Sequence, residues 1–234
     1  MEIGVKEAAK LLNVSEKMVY KWIKHKSLPA FKLNEQYKLN RAELLEWATL
    51  NHINISADLF HNSDENKVLI PNLEEAIRAG GIYYQIDGSN KISVLKAIVD
   101  LMPLPKDVDK TFLFQVLMAR EGMGSTGIGD GIAIPHVRNP IVMHIASPMI
   151  TVCFLKQPID FGALDGKPVH TLFTIISPVI STHLNLLSKL AFALRQPLFE
   201  IAIKERKACD KIYNSAREID QVISSKDLIA RKEK

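Results

Sequence analysis

The segment Arg120-Glu121-Gly122-Met123-Gly124-Ser125-Thr126-Gly127-Ile128-Gly129-Asp130-Gly131-Ile132-Ala133-Ile134-Pro135-His136 narrows what this chain can fold into more than any other. Five glycines and two hydroxyl side chains precede a short β-branched run, and a histidine closes it. Glycine lets a backbone enter the left-handed region and pass close to a bulky neighbour. A histidine at a strand end is held by a rigid element while its ring stays reachable. That placement suits a side chain that accepts a group and hands it on, and it makes His136 the candidate phosphoryl acceptor.

Gly122 to Gly127 also fits G-x-G-x-x-G. That fingerprint binds a dinucleotide only after a strand and before a helix, because the helix N-terminus holds the pyrophosphate. Here the order is reversed. Thr111–Arg120 reads as a helix leading in and Ile132–Ile134 as a strand leading out. No Lys-Ser or Lys-Thr pair follows a G-x-x-x-x-G spacing, so a Walker loop is excluded as well.

A chain of 234 residues suits one or two domains, and its 47% hydrophobic content is ordinary for a globular protein. No uncharged apolar run nears the ~20 residues of a membrane span. The start, Met-Glu-Ile-Gly-Val-Lys-Glu, lacks a signal-peptide layout. Cys153 and Cys209 lie far apart, which fits two free thiols in a reducing cytoplasm. The net charge of +4 is unevenly spread. Residues 1–50 hold nine basic and six acidic side chains, whereas the remainder holds 21 and 20. Between Ser15 and Arg41 seven basic residues face two acidic ones, a footprint expected for phosphate contact.

Residues 1–55 read as one small domain. Lys6–Leu12 is a short helix with Ala8, Ala9 and Leu12 inward. Asn13-Val14 is a turn, and Ser15 caps a second helix, Glu16 to about Lys26. There Val19, Trp22 and Ile23 form the buried stripe, while Lys17, Tyr20, Lys21 and Lys24 share another face, as in a helix-turn-helix. Ala30–Leu33 and Tyr37–Leu39 read as a hairpin around Asn34-Glu35-Gln36. Asn40-Arg41-Ala42-Glu43 opens a third helix.

Val5 to Ser15, Val19-Tyr20, Leu28-Pro29-Ala30 and Asn40 to Leu44 together resemble the excisionase/MerR-like winged helix-turn-helix family. The resemblance implies a recognition helix at 16–26 and a wing at 30–39. DNA is then the expected partner, through Lys17, Tyr20, Lys21 and Lys24, with a homodimer able to read two half-sites. The wing tip departs from the family, which usually carries a basic side chain there.

Residues 56–69 are expected to be a linker, 70–220 a second domain and 221–234 a frayed tail. Ile92–Met102, Thr111–Arg120 and Thr182–Leu194 read as helices, as does the charged segment Leu198–Glu218. Ile132–Ile134, Ile150–Leu155 and Thr171–Ile176 read as strands, with Asp165-Gly166 turning between the last two. The expected fold class is α/β: a small winged helix-turn-helix domain, then a layered domain with a mixed sheet flanked by helices.

This second part resembles the enzyme IIA domain of the fructose/mannitol/nitrogen class of the bacterial phosphotransferase system. The matching motifs run in order over roughly 70–218. They are Ala119-Arg120-Glu121, Gly124 to Gly129, Gly131 to His136, Ile159 to His170, Ser177-Pro178 and His183-Leu184. The resemblance implies that His136 receives a phosphoryl group from a small histidine phosphocarrier protein (HPr), with Arg120 and His183 as the other catalytic residues. Arg120 would offer a planar fork of donors to phosphoryl oxygens. Ser125, Thr126 and nearby amides would satisfy the rest. Transfer between histidines calls for no metal and no cofactor.

His183 could instead only cap its helix, and a zinc site on His136 and His183 lacks further ligands at a typical spacing. His170 lies in a packing motif, and His25, His52, His61 and His144 have no motif support. Val137 stands where the family commonly has glycine. A stiff β-branched residue there is expected to crowd the carrier and to slow or abolish transfer. The expected function is a regulatory phosphoryl carrier coupled to DNA binding, with a regulatory protein as a further partner. The alternatives are a IIA component serving a sugar permease, or a silent IIA-like scaffold.

Overall fold

The computed structural model describes residues 2–25, 27–33, 36–51, 53, 71–137, 145 and 147–232. The chain divides into two compact units, Met1–Lys67 with Ile223–Lys234, and Val68–Val222. The expected linker, 56–69, lies outside the described residues apart from this division, as do His52, His61 and His144.

The first unit runs β1 (Glu2–Gly4), α1 (Val5–Leu11), α2 (Glu16–Lys24), β2 (Phe31–Leu33), β3 (Gln36–Asn40) and α3 (Arg41–Leu50). Asn13 takes the turn with φ +52°, and the Ser15 hydroxyl accepts the Met18 amide at 3.3 Å. Both features follow from residue type: asparagine tolerates the left-handed region and serine satisfies an orphan helix donor. The hairpin β2–β3 is antiparallel with Lys32 opposite Tyr37. Strand β1, which the sequence pattern does not announce, adds to β3 with Ile3 opposite Leu39, both buried.

The second unit runs α4 (Leu73–Gly80), β4 (Ile82–Ile86), α5 (Lys91–Leu101), α6 (Lys110–Gly122), β5 (Gly127–Gly129), β6 (Ile132–Ala133), β7 (Met149–Ile159), β8 (Val169–Ile176), α7 (Ile180–Ala193), α8 (Pro197–Lys204) and α9 (Cys209–Lys232) as far as Val222. Its sheet has the order β4-β7-β8-β6-β5. The pairs β4/β7 and β6/β8 are parallel, while β7/β8 and β5/β6 are antiparallel. Side chains alternate across such a sheet. Cys153, Leu155, Leu172 and Ile176 therefore share one face, in a core with Val94, Leu95 and Ile98 of α5 and Leu113 and Leu117 of α6. Each such buried side chain contributes ~1.5–3 kcal/mol relative to exposure. One residue out of phase, Phe173 meets Phe199 of α8 with ring centroids 6.3 Å apart.

Three expectations change. The segment 198–218 is two helices, not one, broken where Arg206 turns left-handed at φ +50°. Helix α9 runs on through 221–232 and does not stop before that stretch. Helix α4 and strands β4 and β5 also escape the sequence reading. Yet α4 announces itself with a capping box in which Asn72 accepts the Glu75 amide at 2.7 Å and Glu75 accepts the Asn72 amide at 3.2 Å.

Candidate functional site

His136 lies just past β6 and bridges to Ile175 of β8 in parallel register. It continues the pairing of Ile132 with Thr171 and Ala133 with Leu172. Alternation then turns His136 and Val137 to opposite faces. Val137 joins the core beneath α5 and α6, at 3% exposure. Its side chain is thus packed inward, which removes the expected crowding of a docking partner by an exposed branch.

On the other face the His136 ring meets that of His183, with centroids 5.1 Å apart and planes inclined by 38°. His183 sits in the first turn of α7, whose N-cap is Val179, so it is not the helix cap. The His136 ring was expected to be open to solvent. It is instead buried, at 3% exposure, and His183 at 4%. Ile134 and Val137 on either side are core residues, and they draw the strand end inward with the imidazole on it.

The His136 Nδ1 atom lies 2.7 Å from the Ile134 carbonyl oxygen. A carbonyl can only accept, so this contact is a hydrogen bond when Nδ1 carries the proton. The neutral imidazole then has its lone pair on Nε2.

The glycine segment is fastened to the same strand end. The Ile134 amide donates to the Thr126 carbonyl at 2.9 Å. Arg120, buried in the last turn of α6, donates from Nη1 to the Gly124 carbonyl at 3.0 Å. Guanidinium, glycine loop and imidazole are therefore linked through backbone bonds. Two glycines are required for steric reasons. A Cβ on Gly127 would lie 2.8 Å from the Ala163 Cβ. One on Gly131, at φ +73°, would overlap the His170 ring. His170 thus serves packing. Burial, and secondarily the Arg206 charge, hold its pKa below the usual histidine value.

Ser125 and Thr126 are placed differently from the expectation that they serve a phosphoryl group. The Ser125 hydroxyl donates to the Phe161 carbonyl at 2.7 Å and accepts the Gly127 amide. The Thr126 hydroxyl donates to Glu121 at 2.6 Å. Each hydroxyl has one proton, and both protons go to acceptors that brace the loop. Glu121 and Lys91, which pair at 2.9 Å, are members of this cluster that the sequence reading assigned no role. Lys91 also lies over the Phe161 ring, 4.8 Å from its centroid. Among the described residues no group of three or more His, Cys, Asp or Glu is placed to hold a metal.

A second candidate surface lies on α2. Lys17, Tyr20, Lys21 and Lys24 are all exposed, and Val19 and Ile23 are buried behind them. Tyr20 meets Tyr37 of β3 edge-on at 6.1 Å, and Lys32 of β2 lies 5.5 Å from the Tyr37 ring centroid. The helix and the hairpin thus present one continuous cationic and aromatic surface. Tyr37 and Lys32 were not singled out in the sequence, where only their cross-strand register would have joined them. Arg41, counted with the basic excess, is buried at 6% exposure and is withdrawn from that surface. Burial lowers its pKa, opposed by Glu7.

The profile for the phosphoenolpyruvate-dependent sugar phosphotransferase system, EIIA 2, matches residues 75–218, and a helix-turn-helix domain profile matches residues 3–49. A nitrogen regulatory protein of Pseudomonas aeruginosa is 37% identical over 145 residues, covering 60% of this chain and 92% of that protein. One from Klebsiella oxytoca is 30% identical over 131 residues, covering 55% and 80% respectively. The crystal structure of nitrogen regulatory protein IIA-Ntr from Neisseria meningitidis superposes with a TM-score of 0.54 at 27% identity, covering 62% of this chain and 98% of that one. No described helix is long and apolar enough to cross a membrane.

Proposed function

The chain belongs to the EIIA 2 family of the phosphoenolpyruvate-dependent sugar phosphotransferase system and carries a helix-turn-helix domain before it, and from this we propose a cytoplasmic regulatory phosphoryl carrier that acts on DNA. The observation that carries the reading is the His136 ring, bonded through Nδ1 to the Ile134 carbonyl and facing His183. In the reaction, Nε2 of His136 attacks the phosphorus of a phosphohistidine on an HPr-like carrier. The new Nε2–P bond forms as the carrier's N–P bond breaks, and the proton on Nδ1 stays where the Ile134 carbonyl holds it. Charge spread over the transferring oxygens needs cationic or neutral donors. Arg120 supplies the fork and His183 a ring donor. Because the ring is nearly closed to solvent, the carrier must bring its phosphoryl group up to it. The acceptor then passes the group to a further partner or keeps it as a signal.

Phosphorylation adds roughly −1.5 to −2 charges, by analogy with other phosphorylated side chains. That change would alter how the protein meets a regulatory partner or DNA. The relatives named nitrogen regulatory proteins support a regulatory role over sugar transport. DNA is contacted through Lys17, Tyr20, Lys21 and Lys24 of α2, and two copies would read two half-sites.

Incubation with phosphoenolpyruvate, enzyme I and an HPr carrier is expected to label the wild type and leave His136→Ala unlabelled. Equal labelling of both refutes the assignment. For DNA, neutralising Lys17, Lys21 and Lys24 is expected to weaken a gel shift and flatten its salt dependence by about 0.9 per lost phosphate contact. An unchanged shift would instead favour the second reading, a IIA component donating to a sugar permease with the N-terminal domain as a docking module.

A further inference from the structure

We infer that Glu121, with Lys91 as its counter-charge, is a positioning residue that sets the tautomer of His136. The inference rests on the proposed acceptor role for His136. The Glu121 side chain is almost fully buried, at 3% exposure, and its carboxylate is saturated with donors. The Thr126 amide donates to both oxygens at 3.1 Å, the Thr126 hydroxyl donates at 2.6 Å, and Lys91 Nζ donates at 2.9 Å. A buried carboxylate is costly unless it is paired and hydrogen-bonded, and here it is both.

These bonds run on without interruption to the imidazole. Glu121 holds Thr126, the Thr126 carbonyl takes the Ile134 amide at 2.9 Å, and the Ile134 carbonyl takes His136 Nδ1 at 2.7 Å. Glu121 also directly follows Arg120, whose Nη1 grips Gly124 two residues before Thr126. The carboxylate and the guanidinium therefore brace the same short loop, and through Thr126 the carboxylate reaches the carbonyl that keeps the proton on Nδ1. Lys91 comes from the first residue of α5, so the pair also ties that helix to the loop. Glutamine at 121 keeps one acceptor oxygen but sets an NH2 group in place of the other, against a Thr126 donor or Lys91, and leaves Lys91 without its anion. The loop would shift, and with it the Ile134 carbonyl. A misplacement of ~1 Å at a reacting group costs up to ~100-fold in rate.

The test has two independent readouts on the full chain. Nitrogen-15 shifts of the His136 ring report the tautomer without any transfer partner. Rapid-quench labelling with phosphoenolpyruvate, enzyme I and HPr reports the transfer rate. Glu121→Gln is expected to slow labelling by about tenfold or more and to mix the Nδ1–H and Nε2–H tautomers. Lys91→Gln should do the same to a smaller degree, and Lys91→Arg should restore both. Should Glu121→Gln fail to fold, the two Lys91 variants carry the test. A wild-type rate and tautomer in Glu121→Gln, or in Lys91→Gln where the first variant is unfolded, overturns the inference. A wild type that takes no label defeats the carrier reading instead, and the ring shifts still decide whether Glu121 sets the tautomer.

Discussion

The rings of His136 and His183 lie 5.1 Å apart between centroids, and both are nearly closed to solvent. In the proposed transfer His183 acts as a donor to the group on His136 and not as its acceptor. His183→Ala is expected to keep the labelled site and slow labelling by about 100-fold, the usual cost of one lost transition-state donor. His136→Ala should abolish labelling outright. Rapid-quench time courses with a radiolabelled phosphoryl donor distinguish the two. Identical rates for His183→Ala and wild type would remove His183 from the mechanism.

Gly131→Ala introduces a side chain at φ +73° and against the His170 ring. The expected loss is about 1–3 kcal/mol, read from the shift of a urea unfolding midpoint. Gly122→Ala, at the end of α6 with nothing within 4 Å of the new Cβ, is the contrast. It should be neutral or stabilising by up to about 1 kcal/mol.

Arg217 holds the Glu74 carboxyl through two hydrogen bonds of 2.7 Å, and Arg78 adds one at 2.8 Å. Together they bring its pKa down from 4.5 to about 2, the Arg217 hydrogen bonds contributing most. A carboxylate favoured in the folded state stabilises above its unfolded pKa, and that stability is lost as pH falls towards the folded value. Glu74→Gln should therefore cost on the order of 1 kcal/mol at pH 7, discounted for the exposed arginines, with the difference vanishing between about pH 5 and pH 2. Burial raises the pKa of nearby Asp220, which slopes the other way. Subtracting variant from wild type at each pH isolates Glu74. A difference that stays constant with pH would show that the pairing has no linkage to protonation.

Cys153 lies in β7 with no exposure, and burial pushes its thiol up to about 12. The thiolate is the nucleophile, so Cys153 is inert in the folded protein. Cys209, half-buried at the start of α9, should be the thiol that reacts with an aromatic disulfide reagent at pH 8. One fast equivalent is expected without denaturant and two in its presence. Two fast equivalents in the native protein would show that the sheet opens readily.

Residue type and spacing in this chain determine its local elements and most of their placement. The Asn13 turn, the Ser15 cap, the apolar backs of α2 and α5 and the helix–loop–strand order around Gly122 to Gly127 all follow from local chemistry that needs no distant partner. The glycines and the histidine of 120–136 likewise mark the site in one dimension. Tertiary structure decided the rest, because those properties depend on residues far apart in the chain. β1 and β5 are three-residue strands without a period of their own, and they exist only because β3 and β6 offer open edges. The inward turn of Val137 and the closing-off of His136 come from register with β8. The diversion of the Ser125 and Thr126 protons to Phe161 and Glu121 comes from packing, as does the bond from Lys91 to Glu121 across thirty residues. A hydroxyl or a carboxylate carries no mark in the sequence of which partner it will meet, and burial assigns that partner by making an unpaired polar group costly.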